Sequence, residues 1–148
     1  MMKEESTFSH DGLHDTLTHF VAPPYFYEEI EREISRFSRS GTSFSVINIQ
    51  LEINGVNEIN TILKFTTLLR KVIRVEDLAA RLGEHEFALI VRENKDGIQR
   101  IISRLRKQCS QEEFPGILNL RIISAEYELQ QSALDFLNSM DLPKRKII

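Results

Sequence analysis

The sequence holds a single cysteine, Cys109, in 148 residues. One thiol closes no internal disulfide, and Cys109 has no ligand-bearing residues at metal spacing around it, which excludes a disulfide scaffold and a zinc module and favours a reducing cytoplasmic compartment. His10, His14 and His19 share no ligand spacing with Cys109 or with a carboxylate pair on one helix face, so a metal site there is not expected. Long apolar runs are missing too. None approaches the roughly 18 residues that cross a bilayer, so a soluble protein with no membrane partner is expected. Charge of one sign is also lacking: the net charge is -3 and the pI about 5.8. That excludes the basic footprint of a nucleic-acid binder, and Lys144-Arg145-Lys146 is too short to supply one.

What is present suits one domain with a real core, since 41% of the residues are hydrophobic. Residues 1–12 carry few apolar groups and are expected to form a flexible lead-in to a single domain over 13–148. Pro23 and Pro24 open a helix striped by Phe26, Ile30, Ile34 and Phe37, and Ser40-Gly41 ends it. Thr42–Leu51 reads as the central strand, with Gln50 and Glu52 at its carboxyl end, where ligands sit in open α/β sheets. A helix follows from about Glu58 to Ile73, striped by Ile59, Ile62, Leu63, Thr66, Leu69 and Ile73.

The organising stretch is Arg74 to Arg92, RVEDLAARLGEHEFALIVR. Ala79–Leu82 and Phe87–Val91 are the arms of a hairpin with Gly83-Glu84-His85-Glu86 as its tip. Phe87, Leu89 and Val91 alternate with Ala88 and Ile90, so both faces of the second arm are apolar and the strand belongs inside a covered sheet. A helix from Asp96-Gly97 to Cys109 carries Ile98, Ile101, Ile102 and Leu105 at core spacing, with Cys109 on its apolar face. Leu118, Leu120 and Ile122 begin a strand reaching towards Tyr127, and Ser132–Asp141 is a last helix stopped by Pro143. This order predicts an α/β fold with a central mixed, largely antiparallel sheet flanked by helices.

The same stretch resembles the hallmark of GGDEF domains, the diguanylate cyclases that join two GTP molecules into cyclic di-GMP, whose pattern is RxxDxxARxGGDEF. Arg74, Asp77, Ala80, Arg81, Gly83, Glu86 and Phe87 fall in that register without a gap, while Glu84 replaces the second glycine and His85 the acidic third position. Upstream, Asp15, Leu17, Thr18 and Phe26 match the family's DxLTGLPNRRxF, but its Gly, Pro, Asn and Arg positions do not. The resemblance implies the nucleotide-cyclase, palm-like version of the fold.

It also implies where chemistry has been lost. Joining two nucleoside triphosphates requires Mg²⁺ on hard oxygen ligands. The family's first metal carboxylate corresponds to Gln50, a neutral amide, and its second to His85, an imidazole better suited to zinc or copper. Glu84 places a side chain and a negative charge where a triphosphate would lie. Asn60 matches a base-binding asparagine, but about eight residues of the family's Gly-His loop are missing by alignment, and its later ALYxAKxxGRN helix has no counterpart. No cofactor is therefore expected, with the Mg²⁺ site lost and no catalytic residue retained. Glu52 and Glu86 are the carboxylates left for residual activity. The plain reading of Glu84, His85 and Glu86 is a solvated tip.

Arg74 and Asp77 form the RxxD that in the family grips bound cyclic di-GMP as an inhibitory site, often with a second arginine on the following helix; Arg104 or Arg106 could serve. Arginine's planar fork binds phosphate oxygens in pairs, each charge-assisted bond contributing about 1.5–3 kcal/mol. Structurally, Arg74 in the last turn of a helix would also favour the helix dipole, and Asp77 would open a strand. The expectation is a catalytically inactive GGDEF-like signalling domain binding cyclic di-GMP through Arg74, Asp77 and Arg104 and regulating a partner. The alternatives are a protein-protein or homodimerisation module without a nucleotide, and a cyclase with residual activity.

Overall fold

The structure, a computed structural model, describes residues 8–129 and 131–140; expectations for residues 1–7, Asp141, Pro143 and Lys144–Lys146 lie outside them. Its elements follow the order α1 (Pro23–Ser40), β1 (Ser45–Asn54), α2 (Glu58–Val72), β2 (Leu78–Gly83), β3 (Glu86–Val91), α3 (Lys95–Ser110), β4 (Ile117–Glu126) and α4 (Ala133–Ser139). The strands lie side by side as β2-β3-β1-β4, every ladder antiparallel. Among the described residues the parallel component is one bridge, where Val21 of the entry segment pairs with Ala80.

The alternation in β3 sorts the core as its sequence predicts. Phe87, Leu89 and Val91 join Ile47, Ile49 and Leu51 beneath α2 and α3, whereas Ala88 and Ile90 join Val46, Phe26, Ile30 and Phe136 beneath α1 and α4. A strand buried on both faces sits inside the sheet, and β3 does. Proline at the first turn starts α1, and Gly41, left-handed at φ 73°, ends it by donating its N–H to the Phe37 carbonyl. Glu33 of α1 is buried and ion-paired with Arg36 and Arg92, which ties α1 to the residue after β3.

Most element ends shift by a residue or two, and three differences bear on the site. β1 covers Ser45–Asn54 rather than Thr42–Leu51, because β4 pairs with it as far as Asn54 opposite Ile117, whereas pairing with β3 stops at Gln50 opposite Glu86. Gln50 and Glu52 therefore lie within the strand. Second, α2 buries Thr61, Ile62, Phe65, Leu68, Leu69 and Val72, and leaves Ile59 and Leu63 facing solvent. The bulky Phe65, opposed by Phe87 at 5.3 Å between ring centroids, sets the rotation of the helix. Third, α2 ends at Val72, so Arg74 lies beyond its last turn.

The deepest polar feature joins the entry segment to the hairpin. Asp15 and Arg81 are both 0% exposed. Arg81 Nη1 lies 3.2 Å and 3.3 Å from the two Asp15 carboxylate oxygens, and Arg81 Nη2 donates to the Glu84 carbonyl at 2.8 Å. Asp15 Oδ2 also accepts from the Thr18 N–H at 2.7 Å and the Thr18 hydroxyl at 2.8 Å. Cys109 is half-buried on α3 against the main core, and burial pushes its thiol up to about 11 against a lesser pull from Arg106.

Removing one member of a buried pair leaves the other charge desolvated and alone. Asp15→Asn is expected to lower unfolding stability by about 3–5 kcal/mol in urea titrations, and a change near zero would mean that Arg81 is satisfied without its carboxylate. For Cys109, alkylation is expected to keep climbing about tenfold per pH unit between about pH 8 and pH 10, where an ordinary exposed thiol levels off.

Candidate functional site

Two places collect the residues singled out by sequence. The first is the end of the sheet at the β2–β3 tip. Asn48, Gln50 and Glu52 share one face of β1, and the backbone closes the tip onto this strand through the Leu51 N–H donating to the His85 carbonyl at 2.8 Å. Glu86, directly across from Gln50, accepts from the Asn48 side-chain amide at 2.8 Å. His85 pairs through Nε2 with Glu58 at the start of α2. Glu84 accepts from the Phe8 N–H at 3.2 Å, so the described part of the lead-in touches the tip. The tip is therefore half-exposed but fastened at three points, because each acidic or imidazole side chain finds a partner on a neighbouring element. Gly83 has no left-handed backbone, and an added Cβ would meet nothing closer than 3.7 Å.

Glu52 is exposed and leans toward Arg121 of β4, 3.8 Å away, while Glu86 turns inward to Asn48. The structure thus directs the two remaining carboxylates to different neighbours. Among the described residues, no group of three or more His, Cys, Asp or Glu side chains is arranged to hold a metal ion. Asn60 lies exposed on α2, which runs uninterrupted from Glu58 to Val72.

The second place is the turn between α2 and β2. Asp77 Oδ2 accepts from the Arg74 N–H at 2.9 Å, and the Asp77 N–H returns to the Arg74 carbonyl at 3.0 Å, so RxxD closes a compact turn. The Arg74 guanidinium, 41% exposed, faces carboxylates of Glu93 at 3.0 Å, Glu76 at 3.4 Å and Asp77 at 3.5 Å. Partial desolvation pulls its pKa down, but Asp77, Glu76 and Glu93 together hold it above the ordinary value. Arg104 of α3 reaches the same corner by donating to the Val72 carbonyl at 3.3 Å. Arg106 instead lines a cleft beside Cys109 and Phe114, which removes it as a second arginine here. Beside Arg74 and Asp77 opens a cleft of about 390 Å³ that also takes in His14, His19, Phe20 and Arg70.

A family model described as the GGDEF domain of diguanylate cyclases matches residues 12–126. The chain belongs to the GGDEF domain family. No curated protein sequence matches it. Among solved structures, the coiled coil and GGDEF domain of DgcB from Caulobacter crescentus, in complex with c-di-GMP, superposes with a TM-score of 0.77 at 18% identity, over 93% of this chain and 83% of that one. The diguanylate cyclase SiaD from Pseudomonas aeruginosa, in complex with its activator SiaC, gives 0.73 at 17% identity, over 86% and 54%. The GGDEF domain of FimX from the same organism gives 0.71 at 17% identity, over 86% and 88%. At such identities the likeness speaks for the fold.

Several residues of this GGDEF domain's two corners escaped the sequence reading. Asn48 had a faint signal, a lone polar residue between the isoleucines of SVINIQL, but nothing announced Glu58 as the partner of His85 or Glu93 as that of Arg74. His19 had a clearer one. It stands where the family pattern has glycine, and its φ is 65°, a left-handed backbone that costs an L-residue about 1–2 kcal/mol. His19→Gly is expected to raise stability by up to about 1 kcal/mol, less whatever glycine loses in unfolded-state entropy. A lower urea midpoint in that variant would show that the imidazole itself holds the loop.

Proposed function

We propose that this GGDEF domain makes no cyclic di-GMP and instead binds it at the Arg74–Asp77 corner with Arg104, passing the occupied state to a partner protein in the cytoplasm. The observation that carries the first half is the state of the tip: Gln50 and His85 stand where the family has metal carboxylates, and Glu86 and His85 are engaged with Asn48 and Glu58. These side chains do not fit Mg²⁺, which takes hard oxygen donors at near-octahedral geometry. An amide, an imidazole and two carboxylates committed to different neighbours supply no such set, and no step is assigned to the metal. Glu84 adds repulsion toward a triphosphate.

The second half is supported by the compact RxxD turn, by a guanidinium that is 41% exposed, and by Arg104 at the same corner. DgcB, solved with c-di-GMP, shares the fold. A second reading has its own observation. Val56, in the bend before α2, and Ile59 and Leu63 on its first two turns stand exposed, apolar surface suited to contact with another protein, and SiaD was solved with its activator SiaC.

Calorimetric titration separates these readings. Cyclic di-GMP is expected to release heat with the wild type and to bind about tenfold to a hundredfold more weakly to Arg74→Ala, the loss of one or more charge-assisted bonds. GTP with Mg²⁺ is expected to give none. No heat with cyclic di-GMP leaves the protein-contact reading, and synthesis of cyclic di-GMP from GTP overturns the inactive assignment.

A further inference from the structure

We propose that Glu93 is a built-in occupant of the phosphate-binding face of Arg74, a carboxylate latch that an incoming anion displaces. The inference rests on reading Arg74 as a phosphate-binding residue and assigns the regulation of that same corner. Glu93 follows β3 by two residues and precedes the Asn94 cap of α3. Its Oε2 lies 3.0 Å from Arg74 Nη2, the shortest of the three carboxylate approaches to that guanidinium. The guanidinium fork that would meet phosphate oxygens already meets carboxylate oxygens of similar geometry.

A second observation shows that the position of Glu93 is built in. Its other oxygen, Oε1, lies over Gly97 in the first turn of α3, where an added Cβ would stand 1.9 Å from Oε1, 2.6 Å from Cδ and 2.9 Å from the Glu93 Cβ. Gly97 is not left-handed, so its backbone does not call for glycine. Inside a helix, glycine is about 1 kcal/mol less favourable than alanine. The space above Gly97 is the evident return for that cost, and the Glu93 side chain fills it. Its backbone is held as well, with the Glu93 carbonyl accepting from the Ser45 hydroxyl at 2.9 Å.

Release is easy in this arrangement. A Glu93 carboxylate displaced from Arg74 stays beside the first turn of α3, where the helix dipole favours negative charge. Occupation of Arg74 by phosphate would therefore shift the side chain that packs on the start of α3, the helix that also carries Arg104.

Two variants open the latch by different means: Glu93→Gln removes its charge, and Gly97→Ala displaces the whole side chain, since the new methyl would overlap Oε1 and Cδ and crowd the Glu93 Cβ at 2.9 Å. Labelling of Arg74 by phenylglyoxal, followed by mass spectrometry, reads the guanidinium without any nucleotide. Both variants are expected to be labelled about three- to fivefold faster than wild type, the factor for losing a partly exposed ion pair. Unchanged labelling in both overturns the latch. Cyclic di-GMP titration is then expected to show affinity raised by a similar factor in Glu93→Gln. Measurable binding of equal affinity in wild type and Glu93→Gln also overturns the latch. Faster labelling with no cyclic di-GMP binding in any variant supports Glu93 as the occupant of Arg74 and overturns the receptor reading instead.

Discussion

The buried ion pair of Asp15 and Arg81 is the constraint on which the arrangement of this domain depends. Two charges at 0% exposure are tolerable only if nearly every donor and acceptor is met, and here the partners come from two separate stretches: Asp15 and Thr18 of the entry segment, and the Glu84 carbonyl of the tip. The pair therefore does more than bind two side chains. It requires the entry segment to lie along β2, where Val21 bridges Ala80, and it requires the turn after β2 to present a carbonyl inward. Once that turn is fixed, His85 and Glu86 emerge at set positions and find Glu58 and Asn48.

That coupling accounts for how the tip has changed without loss of the fold. Residues that hold the tip in place, Asp15, Arg81 and Phe87, match the GGDEF pattern, whereas Gln50, Glu84 and His85 depart from it. The replacements are integrated. Asn48 and Glu86 make a charge-assisted bond in a half-covered site, and His85 pairs with the first acidic residue of α2, close to a helix N-terminus. These side chains cross-link the tip, β1 and α2.

How much of this was legible in sequence depends on the range of the interaction. Alternation in FALIV fixed the two faces of β3 and placed it inside the sheet, because a strand's period of two is a local rule that tertiary context rarely overrides. The proline start and glycine end of α1 and the stripe of α3 were local rules too. The rotation of α2 was not, since its sequence offers apolar residues on more than half its circumference and the choice of Phe65 over Ile59 was made by Phe87 across the core. The extent of β1 was likewise set by β4, whose pairing begins some sixty residues later. Asp15 was readable as a motif match but not as an ion pair, because 66 positions separate it from Arg81.

Arg74 and Arg81 mark the two ends of one short stretch, RVEDLAAR, and show opposite uses of the same side chain. Arg81 is wholly buried, and its carboxylate is itself locked by Thr18, so exchange for an outside anion would require opening the core. Arg74 is 41% exposed, and the carboxylates around it approach at 3.0 to 3.5 Å. Exposed contacts such as those of Glu76 and Glu93 are individually weak in water, about 1 kcal/mol or less, and their loss leaves the sheet undisturbed. The fold thus uses one arginine to fix the entry segment against the hairpin and keeps the other, seven residues earlier, where its partners are exchangeable. Any signal this domain receives through an anion is read most cheaply at the second.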